Sequence, residues 1–270
     1  MECATKYPSD LTDEQWQILS RLLPKPARRG RKAIDRRRVI DAILYVVRSG
    51  CQWRMLPRNF PNWSTMYGIF RRWRLAGLWQ QIHDALREQV RKSEGKKPTP
   101  TAAIIDSQSV RTAEGGEERG YDAGKKITGR KRHLAVDTLG LVLTVVVHGC
   151  FWQDHDGACF VLIRLRERFR RLKVIFADSA YTRNDLPAWV RETLGWVLQT
   201  VLRPVEARGF VVLPKRWIVE RTFAWISRSR RNAKDYGRSQ ISIATGGRGF
   251  LEENLIGRPE AEAPAGAAIE

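Results

Sequence analysis

Two apolar runs of strand length, AAIID at 102–106 and KVIFAD at 173–178, each close on an aspartate. That pattern constrains the fold more than any other feature of the chain. Short apolar runs bounded by polar residues predict strands covered on both faces by helices. An acid at the carboxyl end of such a strand, here Asp106 and Asp178, falls where open α/β sheets place their ligands. Between the two runs, RHLAVDT and LVLTVVVHG flank a short turn at Leu139-Gly140 and predict a β-hairpin. Helices are expected over about 156–171 and from about Asn184, with a short strand in WVLQTVLR between the second and a long helix, KRWIVERTFAWISRSRR, whose first turn follows Pro214. Strand, hairpin, helix, strand, helix is the order of an α/β fold with a mixed sheet.

The front of the chain has a different period. Thr12 or Ser9-Asp10 can cap a helix carrying Leu11, Trp16, Leu19, Leu22 and Leu23 before Pro24. A basic loop, PKPARRGRK, leads to a second helix from about Asp35 to Gly50. A third begins near Ser64, where Tyr67, Phe70, Trp73 and Leu75 interleave with Arg71, Arg72 and Arg74. A fourth covers about 78–92, and SEGKKPTPT then reads as a linker. Short helices with arginines beside aromatics predict a small all-α DNA-binding domain over 1–95, with the aromatics inside and the arginines toward DNA.

Charge supports a polyanionic partner. Lys+Arg number 48 against 29 Asp+Glu, a formal net charge of +19, and nucleic acid is the first expectation for such an excess. The excess is front-loaded: residues 1–100 hold 21 Lys+Arg and 9 Asp+Glu, whereas 237–270 hold 3 against 5. Four cysteines without CxxC spacing support neither a disulfide framework nor a zinc site. No apolar run approaches the roughly 18 residues of a membrane span, and the start lacks a signal-peptide pattern. The expected location is therefore cytoplasmic and nucleoid-associated.

A third acid, Glu220, lies inside the long helix four residues after Arg216. Singly, each acid reads as a cap or an ion pair, and Glu220 as an i,i+4 partner of Arg216. Jointly, three carboxylates from distant segments of a basic protein can hold divalent metal, since Mg²⁺ and Mn²⁺ prefer oxygen ligands and serve phosphoryl transfer.

These residues sit in motifs that resemble a known family. AAIIDSQSVR, GRKRHLAVDTLGLVL, QDHDGA, FADSAY and RWIVERTFAW are similar to transposases of bacterial insertion sequences, most of all the Insertion Sequence Five family with its RNase H-like DDE domain. LTDEQWQILSRLLP and CQWRMLPRNFPNWSTMYGIFRRW resemble that family's amino-terminal helical region, so the likeness runs from about Tyr7 to Tyr236. The resemblance implies an RNase H-like mixed sheet over 101–236 with flanking helices. It places the catalytic, metal-holding triad on Asp106, Asp178 and Glu220, with Arg216 as the family's arginine before the glutamate. It further implies Mg²⁺ (or Mn²⁺), binding of terminal inverted repeats and target DNA, metal-dependent 3′-end cleavage and strand transfer, and a homodimer or larger assembly on DNA.

The chain departs from the family in three places. Leu213 stands where the broader signature has tyrosine, and Ser227, beside Arg228, where it has lysine. After AKDY at 233–236 the sequence turns Gly-rich and poorly periodic, so 237–270 reads as an atypical tail. That tail motivates an alternative, a catalytically impaired, repressor-like DNA-binding derivative. Of the remaining cations, Lys125, Lys126, Arg130 and Lys131 around the loop before the hairpin, and Arg228, Arg230 and Arg231 after the glutamate, are either phosphate contacts or solvated charge. In Asp154-His155-Asp156 the resemblance, through the family's QD-x-DG pattern, implies Asp156 as an outer partner of the site, and Ser107 and Ser109 read as hydrogen-bonding residues rather than nucleophiles.

Overall fold

The computed structural model describes residues 7–25, 34–112, 119–201 and 215–235. The 237–270 tail, Pro214 and Leu213 lie outside the described residues.

Local chemistry sets the helical front. Thr12 and Gln15 form a reciprocal cap at the start of α1 (Asp13–Ser20), the hydroxyl accepting from Gln15 N at 3.3 Å and the Gln15 amide oxygen from Thr12 N at 3.0 Å. Asp35 caps α2 (Arg36–Ser49) by accepting from Arg37 N, and Gly50 ends it at φ 73°. Asn62 caps α3 (Trp63–Leu75), which is followed by α4 (Leu78–Ser93). Their apolar faces make one core, including Leu19, Ile40, Ile43, Leu44, Met66 and Ile82, separate from that of the sheet.

The sheet is built on β1 (Ala102–Arg111). It pairs antiparallel with β3 (Ile127–Val136), which pairs in turn with both the short β2 (Gly120–Asp122) and β4 (Val142–Gly149). On its other edge β1 runs parallel to β5 (Val174–Ala177), and β5 to β6 (Val197–Thr200). The order β4-β3-β1-β5-β6, with one antiparallel half and one parallel half, is an RNase H-like mixed sheet. Helix α5 (Asp154–Arg168) covers one face, burying Val161, Leu162 and Leu165 against Ala103, Ile105, Ala135 and Leu143. Helix α7 (Arg216–Arg228) covers the other, with Ile218, Val219 and Phe223 against Ile104, Leu134, Val136 and Phe176. Between β5 and β6 lies α6 (Leu186–Trp189), which continues as a wider turn over Val190–Leu194.

Three elements differ from the sequence reading. β1 does not stop at Asp106 but continues to Arg111, because SQSV stays in register with β3 and its hydroxyls find partners: Ser107 bonds Asp154 and Ser109 bonds Asp122. β2, only three residues long, is too short to show a period. The expected helix 215–231 breaks at Ser229, whose backbone is extended (φ −80°, ψ 115°), and resumes as the single turn α8 (Arg230–Ala233).

The two parts of the chain are tied by charge as well as by chain. Arg91 of α4 pairs with the fully buried Asp137 at the β3–β4 turn. Asp84 accepts both oxygens' worth of hydrogen bonds from Arg168 of α5, at 2.7 and 2.8 Å. Helix α8 packs on α2; a Cβ added to Gly50 would lie 3.0 Å from Arg230 Cβ.

Candidate active site

Side chains alternate along a strand, and Ile104 faces α7, so Asp106 emerges on the α7 face as well. The parallel pairing of β1 with β5 ends at Ile104↔Phe176. Asp106 and Asp178 therefore each lie two residues beyond the last pair, in the crevice where the strands part. Asp178 folds back to accept from Ala180 N at 2.9 Å, which caps the turn Ser179–Thr182. Glu220 stands on the first half of α7 above the same crevice.

Arg216 links the acids. Its guanidinium lies 3.4 Å from Asp178 Oδ2 and 3.2 Å from Glu220 Oε1. Asp106 accepts from Ser107 N at 2.7 Å. Burial pushes the Asp106 carboxyl up to about 6, against the pull of the Ser107 N–H and Arg216, and the charges of Asp178 and Glu220 push the same way. Those mutual effects place all four sequence-derived residues in one electrostatic cluster. The cluster is graded in exposure: Asp178 is 19% exposed and Glu220 48%.

A divalent cation suits this donor set by two observations. All three acids offer hard oxygen ligands, and Asp106 is a half-buried acid whose carboxyl is pushed up by desolvation and by its neighbouring acids, which a cation would relieve. As arranged, no group of three His, Cys, Asp or Glu among the described residues already surrounds one point. Arg216 instead occupies the space between Asp178 and Glu220, so metal entry requires that arginine to move aside or turn to a phosphate.

The other sequence-derived cations divide by exposure. Arg71 and Arg72 on α3 are exposed and Arg74 is half-buried; Lys125, Lys126, Arg228 and Arg230 are exposed and Arg231 half-buried. Arg130 and Lys131 differ from the sequence reading. They are 1% and 5% exposed: Arg130 pairs with buried Asp235 at 2.8 Å, and Lys131 with Asp154 at 2.9 Å. As β3 residues on opposite faces of a covered sheet they are held by internal acids, whereas Lys125 and Lys126 of the preceding loop are exposed. The acid that reaches toward the site is likewise Asp154, not Asp156; Asp156 is 42% exposed and pairs with His155 at 3.3 Å. The sequence signal for Asp154 was its place as first residue of α5, facing the sheet.

Comparison with known proteins gives the same assignment for both parts. Residues 97–244 match the family described as "Transposase DDE domain", and residues 11–83 the family described as "Putative transposase of IS4/5 family". An insertion element IS402 uncharacterized 16.2 kDa protein of Burkholderia cepacia is 31% identical over 117 residues, covering 41% of this chain and 78% of the relative. Among solved structures, the catalytic core domain of BIV integrase aligns at 14% identity with a TM-score of 0.30, over 54% of this chain and 81% of that one.

Proposed function

Because the chain belongs to the DDE transposases of the IS4/5 type, we propose that it binds the terminal inverted repeats of its own insertion sequence and catalyses metal-dependent 3′-end cleavage and strand transfer. The observation that carries the reading is the convergence of Asp106, Asp178 and Glu220, from three separate segments, around one arginine in the crevice between β1 and β5.

In this reading Asp106 and Asp178 hold Mg²⁺ (or Mn²⁺), and Glu220 completes the ligand set. When bound, the cation supplies Lewis-acid stabilisation of the phosphodiester under attack. The chain's own residues do the rest. Asp106 is held in register with Leu134 of β3, so its carboxylate is placed without loop motion. Arg216 orients Asp178 and Glu220 until a scissile phosphate takes its charge. Exposed Lys125, Lys126, Arg228 and Arg230, with half-buried Arg231, take backbone phosphates beside the cleft, and Arg71, Arg72 and Arg74 on α3 engage the repeat. Joining two ends requires two active sites, so a homodimer or larger assembly on DNA belongs to the proposal, as does residence on the nucleoid in the cytoplasm. No described helix is long and apolar enough to cross a membrane.

The test is an incubation of the purified chain with Mg²⁺, DNA carrying the element's two ends, and a target plasmid. Nicks at the repeat boundaries followed by end–target joints are expected. Specific binding without nicks would instead give the repressor-like derivative, and nicks without joints a stand-alone nuclease.

A further inference from the structure

Behind the catalytic strand lies a buried polar cluster that the proposed reaction does not use. Ser107 makes two hydrogen bonds in opposite directions. Its N–H donates to Asp106 Oδ1 at 2.7 Å, and its Oγ donates to Asp154 Oδ1 at 2.7 Å. The same Asp154 oxygen accepts from Lys131 Nζ at 2.9 Å, and that ammonium also donates to the Trp152 carbonyl at 2.9 Å. Below it, His133 Nε2 lies 3.8 Å from Asp154 Oδ1, while His133 Nδ1 and His148 Nε2 share a hydrogen bond of 2.8 Å.

Two features show that this arrangement is built rather than incidental. Gly157, one turn into α5, would place a Cβ 2.3 Å from His133 Cε1 and 2.5 Å from His148 Nε2. Only glycine there lets the start of α5 sit close enough to the sheet to bring Asp154 to Ser107. Tyr181, fully buried on the turn after Asp178, closes the cluster; burial raises its phenol well above the usual range, and the charges of Asp106, Asp154 and Asp178 add to that rise.

We infer that Asp154 is a positioning residue for Asp106, acting through Ser107. Asp154, itself fixed by Lys131, anchors Ser107 through its hydroxyl and so steadies the Ser107 peptide, whose backbone N–H meets one oxygen of Asp106. A carboxylate held through one oxygen presents the other in a fixed direction, as outer partners do for metal-holding groups. The inference rests on the proposed role of Asp106 and deepens it.

The test compares Ser107→Ala, Ser107→Thr, Asp154→Ala and Asp106→Ala in the full chain. The readouts are nicking kcat and KM on repeat-end DNA, Mn²⁺ affinity from the free-ion electron paramagnetic resonance signal, and the melting midpoint without metal. Loss of an outer partner costs about 10–100-fold in metal affinity or activity. Ser107→Ala should therefore lose that much in kcat and in Mn²⁺ affinity at unchanged KM, with a near-native midpoint, while Ser107→Thr keeps the hydroxyl and restores both. Asp154→Ala strips Lys131 of its carboxylate and will also melt lower, so Ser107→Ala is the deciding variant. Wild-type kcat and Mn²⁺ affinity in Ser107→Ala, or equal loss in Ser107→Ala and Ser107→Thr, would overturn the inference. Wild-type nicking by Asp106→Ala would instead overturn the underlying site.

Discussion

Replacing Asp235 by alanine should destabilise the chain by about 3–5 kcal/mol, far more than an ordinary ion pair is worth. Arg130 and Asp235 are 1% and 2% exposed and 2.8 Å apart, across more than a hundred residues of sequence. Exposed pairs contribute only about 0–1 kcal/mol, because water solvates either partner once the other is gone. Here the Arg130 guanidinium would stay under the 229–235 segment with its carboxylate removed. That segment is also sewn to the sheet by Arg132, which donates to Asn232 O at 2.7 Å, and by Asp235 N, which donates to Arg111 O at 3.0 Å. It therefore cannot swing away cheaply to let water in. Urea unfolding followed by circular dichroism reads the loss, and in a thermal melt, at about 2–4 °C per kcal/mol for a chain of this order, Tm should fall by about 6–20 °C. The double variant Arg130→Met/Asp235→Ala removes both charges and should recover most of the loss, since an apolar replacement of a buried pair is often neutral. A loss below about 1 kcal/mol, or a double variant no more stable than Asp235→Ala alone, would refute the burial argument.

Three further outcomes follow from the same structure. Asp41 is buried in α2 and accepts from Leu11 N at 3.0 Å; burial raises its carboxyl to about 6. A raised acid favours the fold while protonated and loses that contribution as pH climbs from about 4 through 6. Asp41→Asn keeps the acceptor without the charge, so it should be more stable than the parent by about 1–3 kcal/mol at pH 7.5 and match it near pH 4 in urea titrations; equal stability at both pH values would contradict this. Gly129→Ala would drive a Cβ to 2.0 Å from the Val110 carbonyl oxygen. Backbone must then part from backbone between β1 and β3, so a loss of about 3 kcal/mol or more is expected by thermal melting, and a native midpoint would be inconsistent with the register. Lys125→Gln/Lys126→Gln should weaken binding to repeat and unrelated DNA alike and flatten the log K against log salt slope by about 2; an unchanged slope in gel-shift titrations would remove both from the phosphate path.

Much of this was legible before the fold. Thr12, Asp35 and Gly50 announce helix ends because capping is local chemistry, and they cap α1 and α2 as read. Asp106 and Asp178 stood out because each closes an apolar strand, and Glu220 with Arg216 through the family resemblance; Arg216 lies beside both Asp178 and Glu220 in the structure. What stayed hidden depends on tertiary partners. SQSV lacks a strand's apolar signature and joins β1 only because Asp154 and Asp122 take its hydroxyls. Arg130 and Lys131 look like solvent-facing charge in a basic loop until Asp235, over a hundred residues away, and Asp154 are seen beneath them. Ser229 sits in an otherwise unbroken helical pattern; its break follows from the turn of 230–233 against α2 and the sheet.

The most direct test of the central claim sets Asp106→Ala, Asp178→Ala and Glu220→Ala beside the parent chain on end-labelled repeat DNA with Mg²⁺. Binding is read by gel shift and 3′ nicks by mapping at single-nucleotide resolution. The expected result is repeat-specific binding by all four proteins and boundary nicks by the parent alone. Boundary nicks at the parent's rate in any of the three variants would show that the gathered carboxylates are not the reaction centre.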